Sequence, residues 1–195
     1  MYLKDSIRGG RNMKKKIILS ACAVFIVVII VIFFRMKYDI SNTYAVNEKE
    51  NYNYEVIIRQ YNGKVIFTEE YDHTQPFIEE IGKDMITLEI SGGLDCRVTR
   101  FINVKDGDIS EKFVNIVAYN SDKVVYPAYI DGDMKIIVQD IFDKNKYYFE
   151  IIRDYAPDAI GTYMIIDVKF LDDVTLYLEY YSGEEWEEVR EIINL

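Results

Sequence analysis

Apolar and polar positions divide the chain into two regimes. Ile17 to Phe34 (IILSACAVFIVVIIVIFF) runs for eighteen positions without a charge. At about 1.5 Å per residue a helix of that length spans about 27 Å, close to the thickness of a bilayer core. The pattern predicts one transmembrane helix over 17–34. Beyond it, apolar residues come in short runs separated by Gly, Asn and Asp, which is how strands and tight turns alternate. Tyr54 to Gln60 and Lys64 to Tyr71 flank Tyr61-Asn62-Gly63. The Asn-Gly pair predicts a hairpin closed by a two-residue type I′ turn.

A diffuse repeat follows. Pro76 to Ile81 leads through Gly82-Lys83-Asp84 into Met85 to Ile90, then Ser91-Gly92-Gly93, then Cys96 to Val104. The same order returns at Tyr126 to Ile130, Asp131-Gly132-Asp133, Met134 to Ile141, Phe142 to Asn145 and Tyr147 to Ile152. It returns once more at Ile165 to Leu171, Asp172-Asp173, Val174 to Tyr181, Ser182-Gly183-Glu184 and Trp186 to Ile193. Each unit predicts an antiparallel meander of three strands. In the first, Asp106-Gly107-Asp108 adds a turn before a fourth strand at Ile109 to Phe113.

Alternation of Ile86, Leu88 and Ile90 against Met85, Thr87 and Glu89 supports strands, as does that of Leu176, Leu178 and Tyr180 against Thr175, Tyr177 and Glu179. Lys135 to Gln139 is apolar enough for a central strand covered on both faces. At 184–195 the signals conflict. Ser182 with Glu185 fits a helix cap and Trp186, Val189 and Ile193 fall at helical spacing, while the repeat predicts a strand. Asp154 to Gly161 reads as a loop and the polar stretch 35–53 as a tether, which places the β domain at 54–195.

Superposing Asp84-Met85, Asp133-Met134 and Asp173-Val174 gives intervals of 49 and 40 residues, near the period of a propeller blade. The first unit resembles one blade of a β-propeller, and Tyr54 to Tyr71 resembles the last two strands of another. The resemblance covers 54–195 and rests on spacing and turn placement, without WD or kelch signatures. Three to four units are fewer than most closed propellers hold, so an incomplete propeller, a barrel and a twisted sandwich all stay open. The expected fold class is an all-β ectodomain of repeated, propeller-blade-like meanders behind one N-terminal transmembrane helix.

Charge sets the topology. Lys4, Arg8, Arg11, Lys14, Lys15 and Lys16 precede the apolar run against the single acid Asp5, while Arg35 and Lys37 follow closely behind it. Basic flanks stay on the cytoplasmic side, so 1–16 is a short cytoplasmic tail, with Met13 as an alternative start, and the domain lies outside the cell. A cleavable signal would end its apolar region in small residues, whereas this one ends in Phe33-Phe34-Arg35. Leu19-Ser20-Ala21-Cys22 is similar to a lipobox, yet only Ile17 and Ile18 separate it from the lysines and twelve apolar residues follow Cys22. Those placements favour an uncleaved signal anchor over cleavage or lipidation at Cys22.

Of the 23 basic and 33 acidic residues, eight and one fall within Met1 to Lys37, which leaves 15 against 32 and a charge near −17 beyond it. Such a surface repels nucleic acid and anionic headgroups. Cys96 is the one cysteine beyond the apolar run, so no disulfide closes within the domain, and it is expected to be buried on a strand. His73 is the sole histidine. In Asp72-His73-Thr74-Gln75-Pro76 it reads as a surface loop residue, and zinc sites and His-based triads lack their parts.

Candidate chemistry is sparse. Asp-Gly-Asp at 106–108 and 131–133 brings calcium to mind, but neither continues into an EF-hand loop and Asp-Gly is what a hairpin turn uses. Glu184, Glu185, Glu187, Glu188 and Glu191 could hold a carboxylate pair at hydrolase spacing, or form a solvated end. Tyr147, Tyr148, Tyr177, Tyr180, Tyr181 and Trp186 suit sugar stacking or an interface, and tyrosine is equally a strand former. No phosphate loop, nucleophile elbow, His-Glu-x-x-His or Ser-x-x-Lys motif occurs. No catalytic, cofactor-binding or metal residue is assigned, and no cofactor is implied. The expected function is a single-pass bacterial envelope protein, anchored in the lipid bilayer through residues 17–34, that binds or senses a protein or glycan partner without catalysis and without nucleic acid. Rival expectations are an acidic, immunity-type protein that neutralises a basic partner and a cell-wall glycan hydrolase using paired carboxylates.

Overall fold

The computed structural model describes residues 24–32, 39–93, 95–157 and 162–195. They fall into two units, one ending at Asn42 and the other covering Thr43–Leu195. In the first, residues 24–32 are helical with every side chain exposed, and the Asp39 carboxylate accepts the backbone N–H and the hydroxyl of Ser41. The rest of the 17–34 span with its lipobox-like Cys22, the tail 1–16, and positions 35–38 lie outside the described residues. Among the described residues no helix is long and apolar enough to cross a membrane.

The second unit is all-β, with four antiparallel sheets in chain order. The first holds β1 (Tyr44–Glu48), β2 (Tyr54–Arg59) and β3 (Val65–Tyr71). The second holds β4 (Phe77–Ile81), β5 (Met85–Ser91), β6 (Arg97–Asn103) and β7 (Phe113–Val114). The third holds β8 (Ala118–Tyr119), β9 (Lys123–Ile130), β10 (Asp133–Asp140) and β11 (Tyr148–Ile151). The fourth holds β12 (Ile165–Asp172), β13 (Thr175–Ser182) and β14 (Glu187–Asn194). Every paired strand neighbours its partner in the sequence, so each sheet is a meander.

Several expectations meet the structure directly. The C-terminal segment is a strand, β14, in register with β13 from Thr175↔Asn194 to Ser182↔Glu187. β10 is central and buried along its second half. Others are corrected. The stretch 35–53 is no tether over its second half, because Tyr44–Glu48 pairs with β2 from Tyr44↔Ile58 to Glu48↔Tyr54 and the β domain begins about ten residues before position 54. The expected fourth strand at Ile109 to Phe113 is reduced to an Ile102↔Ile109 bridge and the two-residue β7.

Turn chemistry also sorts differently from its dipeptides. At Tyr61-Asn62-Gly63 the glycine alone takes a left-handed φ, +86°, and Gly63 N–H donates to the Gln60 carbonyl at 2.8 Å. This is a turn over Tyr61-Asn62 followed by a glycine bulge, with a register slip between Ile58 and Arg59, and not the two-residue type I′ turn. The type I′ form occurs at Asp131-Gly132, where both residues have positive φ, 57° and 92°, and Ile130 pairs with Asp133. Asp131-Gly132-Asp133 is therefore a hairpin turn.

Packing follows from which sheets have two covered faces. In the middle sheets burial is continuous, as at Met85, Ile86, Thr87 and Leu88 of β5 and Ile136 to Asp140 of β10. In the outer sheets it alternates, as at Leu176, Leu178 and Tyr180 of β13. Met85, Phe101 and Phe113 of the second sheet meet Val124 of the third and Ile141 just beyond it. Val125, Ile136, Val138 and Ile151, on the third sheet's other side, meet Leu176, Leu178, Tyr180 and Ile193 of the fourth. The first sheet joins the second through Lys112 to Glu69 at 3.0 Å, the Tyr44 hydroxyl to Glu80 at 3.0 Å and Arg100 over the Phe67 ring.

The outer faces of the end sheets carry self-paired polar groups, with Ile192 exposed among them on the fourth. Lys49 bridges Glu55 and Glu70, which sit side by side across β2 and β3. On the fourth sheet, Glu179 accepts from the Tyr177 hydroxyl at 2.6 Å and from Arg190 at 2.8 Å. Those two donors hold its carboxyl down to about 2, an effect that water and salt screen at so exposed a site.

Candidate functional site

A cleft of about 540 Å³ opens between the second and third sheets, within the range of about 300–1,000 Å³ found for small-molecule sites. Ile81, Met85, Tyr119 and Phe142 supply its apolar wall. Lys83 and Asp84 from the β4–β5 turn, Asn103 from the end of β6, and Asn120 and Ser121 from the β8–β9 turn supply its polar groups. Phe142 also walls a smaller hollow of about 180 Å³, lined by Glu111, Gln139, Ile141, Asp143 and Lys144.

Short polar side chains folding back on the backbone set two of the contributing turns. Asn120 Oδ1 accepts the N–H groups of Asp122 and Lys123 at 3.0 and 2.7 Å. Asn103 Oδ1 does the same for Lys105 and Asp106 at 3.0 and 3.1 Å. The Tyr61 hydroxyl donates to the Lys83 carbonyl at 2.6 Å and lies 3.2 Å from Asp84 Oδ1, so the first hairpin braces the β4–β5 turn. Tyr119 rests edge-on against Phe101, with ring centres 5.4 Å apart. Burial first, and then the neighbouring Glu79 carboxylate, which also hydrogen-bonds its hydroxyl, raise the phenol pKa and keep it neutral.

The loop that presents Phe142 hangs from Asp140. This buried carboxylate accepts the N–H groups of Phe142 and Asp143 at 3.0 Å each and pairs with Lys146 at 2.7 Å. Burial alone pushes its pKa up, but the Lys146 contact and the two backbone donors outweigh it, and the result lies below the ordinary 3.8. With the folded pKa below the unfolded one, the group stabilises the fold above about pH 4, and that contribution is lost as pH falls through the folded value. In Asp140→Asn we expect stability at pH 7 to fall by about 1–2 kcal/mol and its decline between pH 5 and pH 3 to be shallower than the native chain's. Urea unfolding across that range measures both, and parallel curves would remove Asp140 from the account.

What remains after these internal bonds defines the site's chemistry. Asn120 Nδ2 is buried at the cleft wall without a hydrogen-bond partner, and Lys83 enters no ion pair among the described residues. The Ser121 hydroxyl, also on the cleft lining, donates to Asp122 Oδ1 at 3.4 Å.

The residues singled out from the sequence lie elsewhere. Glu188 and Glu191 are three apart on β14, hence on opposite faces, and each is tied up, Glu188 with Arg190 and Glu191 with Arg153 through two 2.8 Å contacts. Glu184, Glu185 and Glu187 are exposed. The aromatic set is also divided. Tyr180 is buried edge-on against Tyr155, Tyr147 packs at the third–fourth sheet core and over Lys123, Tyr181 leans on Trp186, and Tyr148 and Tyr177 bond carboxylates of their own sheets. They form no single platform.

His73 is exposed in the β3–β4 connection. Cys96 is half-buried just ahead of β6, neither fully buried nor on the strand, because its carbonyl closes a tight loop onto Gly92 N–H at 2.8 Å. Among the described residues, no three His, Cys, Asp or Glu side chains are placed to share a metal ion. Gly82-Lys83-Asp84 and Phe142-Asp143 are legible in the sequence as turns, but Tyr119, Asn120 and Ser121 carry no sequence signal beyond an Asn-Ser-Asp turn. No protein-family model matches the chain, and no curated protein is significantly similar to it in sequence.

Proposed function

We propose that the chain is a single-pass envelope protein whose β domain is an extracytoplasmic binding or sensing module, with the cleft between the second and third sheets as its ligand site. The cleft carries this reading. It combines an apolar wall with unspent hydrogen-bonding groups at Asn120, Lys83 and Asp84, on turns fixed by hydrogen bonds of their own or of the first hairpin, which is how small ligands are commonly held. The charge-free run 17–34 and its basic N-terminal flank support a membrane anchor with the amino end in the cytoplasm. The four consecutive meanders, of which the second packs on the third and the third on the fourth, support a propeller-blade-like arrangement.

The test has two arms. Protease added to intact cells is expected to remove the β domain, and protection until lysis would reverse the topology. In nanodiscs, the methyl-labelled full chain is titrated with a muramidase digest of purified cell wall. Ile81 and Met85 signals are expected to move while Ile193, in the far core, stays in place. Stationary Ile81 and Met85 would end the cleft's role.

A further inference from the structure

Resting on that reading, we propose that the cleft binds an N-acetylated sugar, with the acetamido carbonyl at the Asn120 wall and a pyranose face against the apolar wall. Charge narrows the ligand first. In a domain carrying near −17 beyond Lys37, the cleft's formal charges cancel, with Lys83 beside Asp84. An anion meets the repulsive field of the whole domain, and a cation finds no acid here beyond Asp84, which already lies near the Tyr61 hydroxyl. A neutral ligand fits best.

Hydrogen-bond capacity narrows it further. Asn103 and Asn120 each commit their carbonyl oxygen to two backbone N–H groups, and Ser121 donates to Asp122. The unspent groups are mainly donors, Asn120 Nδ2 and the Lys83 ammonium, set against the remaining acceptor capacity of Asp84. A buried amide donor without a protein partner costs about 1–3 kcal/mol, so a ligand acceptor at that wall recovers that cost. A carbonyl on a small neutral body supplies it, and the ligand's hydroxyls serve Lys83 and Asp84. Tyr119 and Phe142 provide ring surface for the C–H face of a sugar and its acetyl methyl. The volume of about 540 Å³ admits one or two sugar rings.

Methyl spectra of the full chain in nanodiscs, titrated with N,N′-diacetylchitobiose, cellobiose and the wall digest, decide the matter. Diacetylchitobiose is expected to move Ile81 and Met85, and cellobiose to leave them unmoved. Asn120→Asp keeps the oxygen that holds the turn but removes the donor. It should weaken diacetylchitobiose about tenfold, the factor for a hydrogen bond worth about 1.4 kcal/mol. Lys83→Gln, on an exposed turn that folds regardless, should weaken it about threefold. If cellobiose matches diacetylchitobiose, or both variants bind like the native chain, the acetamido assignment is overturned. If the digest moves the cleft signals and diacetylchitobiose does not, the binding module stands and its sugar ligand is overturned. If neither moves them, the module falls as well.

Discussion

Replacing Phe101 by alanine should lower the melting temperature by about 6–20 °C. A Phe→Ala truncation in a packed core costs about 3–5 kcal/mol, and each kcal/mol shifts a domain of this size by about 2–4 °C. Phe101 is fully buried and meets Phe113 at 6.0 Å and Tyr119 at 5.4 Å, both edge-on. It is thus the hinge pin between the second and third sheets, and the loss includes two aromatic contacts besides the cavity. The same change removes the support behind Tyr119, so the cleft should loosen along with the core. Calorimetry of the native chain, Phe101→Leu and Phe101→Ala should give a graded series. A shift of 2 °C or less for alanine would mean that these two sheets are not packed as described.

A chain beginning at residue 54 should lose on the order of 3 kcal/mol or more and self-associate, whereas one beginning at 39, which keeps the buried Ile40, should retain native stability and associate no more than the full domain. The difference is β1. Its five residues pair with β2 along their whole length, and ladder hydrogen bonds contribute about 1 kcal/mol each. Without β1, the edge of β2 is left bare beside Val56 and Ile58, both fully buried in the intact domain, and a bare apolar edge recruits other chains. Urea midpoints and light scattering on the two versions test this, and matching midpoints would return 44–48 to the status of a tether.

How β1 escapes a reading of the sequence is instructive. Tyr44-Ala-Val-Asn-Glu is an end-sheet edge strand, exposed over Val46, Asn47 and Glu48, so it shows neither the continuous apolar run of a middle strand nor enough length to display alternation. Where both faces are covered, as in Lys135 to Gln139, composition alone identifies the strand. Where one face is covered over eight residues, as in β13, period-two alternation suffices. β14 carries signals for both states, and its partner decides, because β13 offers it a ladder from Thr175↔Asn194 to Ser182↔Glu187 while Val189 and Ile193 still reach the third–fourth sheet core. The cleft is a different case. Its residues come from four segments between Ile81 and Phe142, and each turn is legible, but their meeting depends on how two sheets stack, which no local pattern encodes. The acid-rich end near β14 attracts attention in the sequence, yet strand geometry sends Glu188 and Glu191 to opposite sides.

Because no sheet borrows a strand from another, nothing in the domain has to wait for its far end before it can form. As the polypeptide emerges amino end first, the Thr43 to Tyr71 segment can complete its ladder alone, and each later meander finds a finished surface to settle on. Closing contacts between chain neighbours cost little loop entropy. A ribosome pausing between meanders would therefore leave a shorter stack in place of a tangle, and stalled nascent chains cut after residue 72 or 115 should already resist protease upstream of the cut.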